Sequence, residues 1–353
     1  MFNFVTDEHR MTREAVRKLF TDLAATDTQK RQLHNARIES AAVGRAIRDL
    51  GLFDTDTDDT SMASAQIQAI VAIEAGAVAL PFPLLETLAT HAVSMRASDA
   101  GGAVPADVMR ALSSADTHVS ELPVLADGRL HGAARLVPFA DLADRVVLEA
   151  RSGSEVVLVD VGLNEAGVSR ERRATVEPDY PVDDLRFERI VASSWAAGRE
   201  TAVDSAGFLR QRIALLAAAE IAGACRRMVE MTRDYLLVRS QFGQVLGANQ
   251  SLKHRLADNH VKVEALVAAS DYAAAACDAA AADAEACVCA AKHFAGRAGK
   301  VVADGTLQMH GAIGYTMEFP LHLLMRRVHR LGVSYGSTRA QGEKLFKIFR
   351  EAA

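Results

Sequence analysis

Arg239-Ser240-Gln241-Phe242-Gly243-Gln244, continuing to Leu246 and Gln250, closes a long helical stretch and decides how the rest of the chain is read. Residues 204–240 carry apolar side chains at helical spacing. One helix of roughly 55 Å is expected there, at about 1.5 Å per residue. A second long helix is expected from about residue 250, an alanine-rich one to about 309, and shorter ones near 318–331 and 338–351. Long antiparallel helices joined by short loops make a bundle. A second marked stretch sits at the end of the alanine-rich helix: Gln308-Met309-His310-Gly311-Ala312-Ile313-Gly314-Tyr315-Thr316, then Glu318-Phe319-Pro320 and Arg326.

Upstream the texture changes twice. Residues 118–195 are strand-like: Asp127-Gly128 is a tight-turn signal, and Ser152-Gly153-Ser154 separates two valine-rich runs, Arg145–Glu149 and Glu155–Val161. Short strands at this spacing suggest a small barrel or sandwich, not a parallel sheet. Residues 1–117 are helical in pattern, with Ala41–Ile47 and Ile67–Leu80 at helical spacing, a solvated acidic run at Asp54–Asp59, and Pro81 and Pro83 as stops. The expected class is α+β multidomain. An N-terminal helical domain (1–117) precedes a central β domain (118–195) and a C-terminal four-helix bundle (196–353).

The 353 residues, half of them hydrophobic, are enough for two to three domains. A net charge of −5 gives no reason to expect a nucleic-acid partner; the basic residues are scattered, with one short cluster at Arg326, Arg327 and Arg330. The N-terminus is polar and acidic, unlike a signal peptide, and acidic residues interrupt the most apolar stretches, so no membrane span is expected. A cytoplasmic location is the expectation. The four cysteines, Cys225, Cys277, Cys287 and Cys289, all lie in helical sequence and read as small buried hydrophobes. His322 and His329 share a helical face, but no third ligand has matching spacing, so no metal site is expected.

Each marked stretch has chemistry suited to an anionic, aromatic cofactor. Arginine pairs bidentately with a pyrophosphate. A glycine turn lets backbone N–H groups approach phosphate oxygens. Phe242 offers a face to a ring system. Taken alone, an arginine at a helix end also complements the helix dipole, and a glycine turn also merely connects helices.

Together the two stretches resemble the C-terminal half of acyl-CoA dehydrogenases: R-x-x-F-G followed about 70 residues later by Q-M-H-G-x-I-G-Y-T-x-E-x-P. Asp127-Gly128-Arg129-Leu130-His131-Gly132 and Ala143-Asp144-Arg145 extend the resemblance over the strands, so that it spans about 120–353. The resemblance implies the same domain order, FAD held between subunits, and oxidation of an acyl-CoA thioester to the trans-2-enoyl-CoA. It also implies FAD contacts at Arg239, Gln241, Phe242, Leu246 and Gln250, and at Gln308, Met309, His310, Gly311 and Ala312. In the family these elements reach across to a cofactor held mainly by the neighbouring subunit.

Three departures stand against that pattern. The place of the family's usual catalytic glutamate reads Tyr335-Gly336-Ser337-Thr338. Tyrosine, with a pKa about 10, would need about 4 kcal/mol to reach the phenolate at neutral pH. Some members place the glutamate earlier, at a position matching Ile213; Glu220 follows two turns later on the same helix, and a surface or capping role is expected of it, with replacement of the base as the alternative. The family's flavin-contacting T-E-P-x-x-G-S loop is missing from Asp116–Pro123, and the arginine that assists CoA binding is Ala214 here, with Arg212 nearby. Elements that serve a neighbour's cofactor are kept, while those of the chain's own active site are not. The resemblance is therefore closest to the degenerate subunit of α2β2 acyl-CoA dehydrogenases of bacterial steroid side-chain degradation. It implies a second dehydrogenase-like chain as partner, an acyl-CoA substrate and an electron-transfer flavoprotein as acceptor. The alternatives are a self-sufficient homomer whose base lies elsewhere, at Glu220 or Glu318, a flavin monooxygenase on the same fold, and a scaffold without ligand.

Overall fold

The computed structural model describes residues 6–25, 43, 45–47, 64–99, 110–112, 121–194, 199–241 and 243–352. Among the described residues the chain begins with α1 (Asp7–Ala25), helical residues at 43 and 45–47, α2 (Ala65–Ala77) and α3 (Leu84–Asp99). Eight strands follow: β1 (Arg110–Leu112), β2 (Val124–Ala126), β3 (Arg129–Pro138), β4 (Arg145–Ser152), β5 (Glu155–Gly162), β6 (Val168–Arg173), β7 (Val182–Val191) and β8 (Ser193–Ser194). The chain then enters α4 (Arg199–Val238), a two-stranded hairpin β9 (Ser240–Gln241) and β10 (Gln244–Val245), α5 (Gln250–Asp278), α6 (Ala284–His310), α7 (Leu321–Val333) and α8 (Thr338–Ala352). The order is N-terminal helices, central β domain, C-terminal helix bundle, as the sequence leads one to expect. The Asp54–Asp59 run lies outside the described residues.

By its contacts the chain divides into two compact units, Met1–Ile38, Ala65–Leu80 and Ala214–Ala353 in one, Glu39–Ser64 and Pro81–Ile213 in the other. The second unit is built on one sheet, ordered β6-β7-β3-β2-β4-β5-β8, with β1 paired parallel to β4. Asp127 and Gly128 make the expected two-residue hairpin between Ala126 and Arg129, both at positive φ (50° and 68°). That twist suits the flanking strands, which is why an Asp-Gly pair sits there. Leu130, Val137, Leu148, Val159, Leu185 and Phe187 point to one apolar core. On α3 the buried Glu86 accepts a hydrogen bond from the Tyr180 hydroxyl at 2.7 Å.

In the first unit α2 is apolar on all sides and buried nearly throughout, as expected of a helix enclosed by others. Its N-terminal amides are capped from afar: Ala65 and Gln66 donate to the Asp278 carboxylate at 2.6 and 3.0 Å. Asp278 also closes α5, and the alanine-rich stretch turns there, with Ala280 at φ 47°. α2 crosses α4 at glycines on both sides. A Cβ on Gly76 would lie 2.1 Å from the Glu220 carbonyl oxygen, and one on Gly223 1.8 Å from that of Ile73. None of the four cysteines forms a disulfide; Cys225 and Cys289 are buried as expected, while Cys277 and Cys287 are half-buried. Among the described residues no helix is long and apolar enough to cross a membrane.

Glu74 on α2 is 2% exposed and meets two guanidiniums. Arg17 donates to it at 3.0 and 3.1 Å and Arg226 at 2.7 Å. Burial pushes this carboxyl up, but the hydrogen bonds from Arg17 and the charge and hydrogen bond of Arg226 outweigh it and hold the pKa below its ordinary value. A depressed folded-state pKa stabilises the fold above the unfolded value of about 4.3, and that contribution is lost as pH falls through the folded value. The melting temperature of the wild type is therefore expected to drop more steeply below about pH 4.3 than that of Glu74→Gln. Parallel profiles in a thermal scan at stepped pH would contradict this.

Candidate functional site

The site is built on two chain reversals at the ends of α4 and α6. α4 stops at Val238, and the Arg239 amide makes a last helical bond to the Tyr235 carbonyl at 2.9 Å. The chain folds back with Gln241 paired to Gln244 and Ser240 to Val245. Gly243 at φ +81° makes the turn, a conformation that other residues adopt only with strain. The Leu246 amide donates to the Arg239 carbonyl at 2.8 Å and closes the loop. Asn249 then caps α5, its side-chain oxygen accepting from the Ser251 amide at 3.0 Å. Arg239, Gln241 and Gln250 are exposed and Leu246 is half-buried. Phe242 lies outside the described residues.

At the other reversal α6 ends on His310, and Gly311 at φ +62° leads into a short 3-10 turn, Gly311–Tyr315. Gln308, Gly311 and Ala312 are exposed, whereas Met309 and His310 turn their side chains into the bundle, 4% and 3% exposed. The structure joins the two reversals through a contact the sequence reading missed. The His310 ring stacks on Tyr235 (centroids 4.8 Å, 27°) and packs on Phe319 at 4.7 Å. Tyr235 lies one helical turn before Arg239, the spacing at which side chains share a face, and that was the one available signal. The His310 Nδ1 is 2.8 Å from the Thr306 carbonyl, so Nδ1 carries the hydrogen. Burial lowers the pKa of the ring, only partly offset by that bond, and the imidazole is neutral at pH 7. Its Nε2 is buried and has no hydrogen-bond partner among the described residues.

Around these loops the surface is exposed and partly apolar: Leu237, Val238, Val245, Ile313, Tyr315 and Met317 all stand out to solvent. A Cβ placed on Gly243 or Gly311 would meet nothing within 4 Å. An exposed guanidinium, exposed amides and two open glycine turns fit the phosphates of the FAD that the family resemblance implies.

The positions of the missing base look different. Tyr335 is buried, 6% exposed, and stands at φ 55° between α7 and α8, followed by Gly336 at φ 84°. Glu220 corrects the expectation of a surface or capping role. It is 3% exposed and forms an ion pair with Arg327, whose other terminal nitrogen donates to the Leu80 carbonyl at 2.9 Å. A carboxylate enclosed in the bundle and engaged by a buried guanidinium is occupied in a structural ion pair. The Arg326, Arg327 and Arg330 cluster is correspondingly no surface patch, since Arg327 and Arg330 are buried at 1% and 6%. Glu318 is solvent-exposed, and hydrogen bonds from its own backbone amide and from Thr316 hold its carboxyl below the usual range. Ile213 and Ala214 are buried, and Arg212 lies 5.2 Å from the Phe208 ring, with Arg96 on the same ring at 5.0 Å. Asp116–Ser120, where the flavin-contacting loop is missing, falls outside the described residues.

Residues 200–347 match the family model "Acyl-CoA dehydrogenase, C-terminal domain". The acyl-CoA dehydrogenase IpdE2 of Mycolicibacterium smegmatis is 33% identical over 165 residues, 47% of this chain, and the match spans about half (51%) of that relative's length. The fold is that of the ChsE4-ChsE5 complex from Mycobacterium tuberculosis (TM-score 0.85, 20% identity, 99% of each chain). A variant of the Tcur3481-Tcur3483 steroid ACAD gives TM-score 0.83 at 21% identity, over 98% of each chain. With motifs at the ends of α4 and α6 and this order of helices, sheet and bundle, the chain has the fold of these dehydrogenases and is similar in sequence to their C-terminal domain over residues 200–347.

Proposed function

We propose that this chain is the non-catalytic subunit of a heteromeric, FAD-dependent acyl-CoA dehydrogenase, and that it supplies cofactor contacts to a site whose base lies on an unlike partner. The observation that carries the reading is a contrast within one unit. Arg239, Gln241, Gln308 and Ala312 are exposed on two adjoining loops, while Tyr335 and Glu220 are buried and Glu220 is tied to Arg327. FAD, when bound, accepts the β hydride of the acyl thioester. The Arg239 guanidinium would pair with the pyrophosphate, Gln241 and Gln308 would hydrogen-bond polar edges of the cofactor, and amides at the Gly311 turn would face its oxygens. Leu246, Gln250, Met309 and His310, with Phe242, complete the set of contacts we assign, the buried ones acting by holding the loops. The exposed apolar side chains beside the loops, Val238 and Tyr315 foremost, would be covered by the partner.

The substrate class we assign is an acyl-CoA ester, with a steroid side-chain ester as the specific candidate. Support comes from the fold likeness to the two-chain ChsE4-ChsE5 complex and to the Tcur3481-Tcur3483 steroid ACAD. We place the assembly in the cytoplasm, with an electron-transfer flavoprotein as acceptor. A homomer using Glu220 as base is disfavoured by the Arg327 pair.

The test is Arg239→Ala in the assembly co-expressed with its dehydrogenase-like partner. Loss of a charge-assisted contact of about 1.5–3 kcal/mol would weaken FAD binding by roughly 10- to 100-fold at unchanged native mass. Undiminished FAD affinity would remove this chain from the cofactor site.

A further inference from the structure

We infer that His310 is a positioning residue that couples the two cofactor-facing loops, so that the Arg239 hairpin and the Gln308–Ala312 turn meet the cofactor as one surface. This rests on the reading that those loops bind FAD. The imidazole touches two different parts of the site. Tyr235, stacked at 4.8 Å, sits at the end of α4 and its carbonyl receives the Arg239 amide, so it sets where the hairpin starts. Phe319, at 4.7 Å, follows the 3-10 turn on the other side, and Tyr235 and Phe319 are themselves 6.2 Å apart. The ring is kept from rotating by its Nδ1–H bond to the Thr306 carbonyl.

The hairpin has few other anchors. Its closing bond, from the Leu246 amide to the Arg239 carbonyl, is internal, and its side chains are mostly exposed. Tyr235 and His310 form a direct side-chain link between the base of the hairpin and the Gln308 turn. Gly314 lies tight against the same histidine, since a Cβ there would stand 3.0 Å from the His310 Cβ. The imidazole thus fixes the turn that follows it as well as the hairpin beside it.

The experiment compares wild type, His310→Ala and His310→Phe in the co-expressed assembly, with two readouts. One is FAD affinity by flavin fluorescence titration. The other is amide hydrogen exchange across residues 239–246 and 311–316 without flavin. His310→Ala is expected to weaken FAD about tenfold, the worth of the lost ring contacts, and to speed exchange in both segments together. His310→Phe keeps both ring contacts and is expected to restore affinity to within about threefold of wild type. Unchanged affinity in His310→Ala, or faster exchange confined to 311–316, would overturn the coupling. Should the wild-type assembly take up no FAD, the functional reading fails, while the exchange arm still decides whether His310 joins the loops.

Discussion

Glu220→Ala is expected to cost about 3–5 kcal/mol of folding stability, the largest effect of any single side-chain truncation in the bundle. Both partners of the Glu220–Arg327 pair are almost fully enclosed, at 4% and 1% exposure of their side chains. Removing the carboxylate takes away the counter-charge of a buried guanidinium, which keeps its bond to the Leu80 carbonyl at 2.9 Å. An arginine cannot escape by losing its proton, so the full penalty of a buried unpaired charge falls on the fold. The same reasoning predicts rescue. Glu220→Leu combined with Arg327→Met removes both charges, and its stability is expected within about 1–2 kcal/mol of wild type, because an apolar pair of similar volume replaces a buried ion pair at little net cost. Urea denaturation of wild type, Glu220→Leu, Arg327→Met and the double variant gives the coupling energy directly. Near-additive effects would mean that the two residues are not a buried pair, and would reopen Glu220 as a base.

Gly223→Ala is expected to cost about 2–3 kcal/mol although alanine is the better helix former by about 1 kcal/mol. The added methyl would sit 1.8 Å from the Ile73 carbonyl oxygen and 2.7 Å from its carbon. Those are backbone atoms of α2, held by helical hydrogen bonds on both sides, so the clash is relieved only by parting the two helices. Parting them also loosens the crossing at Gly76, where the Glu220 backbone makes the equivalent close approach. Gly207, on the same helix α4, is the control: nothing lies within 4 Å of its missing Cβ. Gly207→Ala is expected to be neutral or stabilising by up to about 1 kcal/mol. Thermal melts in which Gly223→Ala matches Gly207→Ala would show that α2 and α4 do not touch at this point.

Much of this architecture is local in origin, and that part was readable. The helix at 199–238 follows from apolar spacing, the hairpin at Asp127-Gly128 from the turn chemistry of two residues, and the break near Asp278 from acidic residues that interrupt an alanine run. The two chain reversals after α4 and α6 were readable because glycines stand at both helix ends, Gly243 and Gly311. What could not be read depends on partners far apart in sequence. The Arg326–Arg330 cluster looks like a solvated basic face until α7 packs, and nothing in its spacing points to Glu220, 107 residues earlier. The left-handed backbone at Tyr335 is set by the turn it occupies between two helices; only the glycine after it hinted at a reversal. The grouping of α2 with the C-terminal helices likewise arises from Gly76 and Gly223, two residues that helix periodicity treats as neutral.

These buried contacts bear on function because they separate two kinds of position. On the proposed reading, Tyr335 and Glu220, buried in the bundle, take no part in catalysis, whereas the Arg239 and Gln308 loops present their polar groups outward. The chain is therefore suited to complete a site elsewhere. The most direct measurement is FAD content per chain, with native mass, for this protein expressed alone and co-expressed with its dehydrogenase-like partner. The account predicts little flavin on the lone chain and about one FAD for every two chains in a mixed tetramer, because only the unlike chain would hold the main part of each site. A homomer of this chain alone that carries one FAD per chain and turns over acyl-CoA would contradict it.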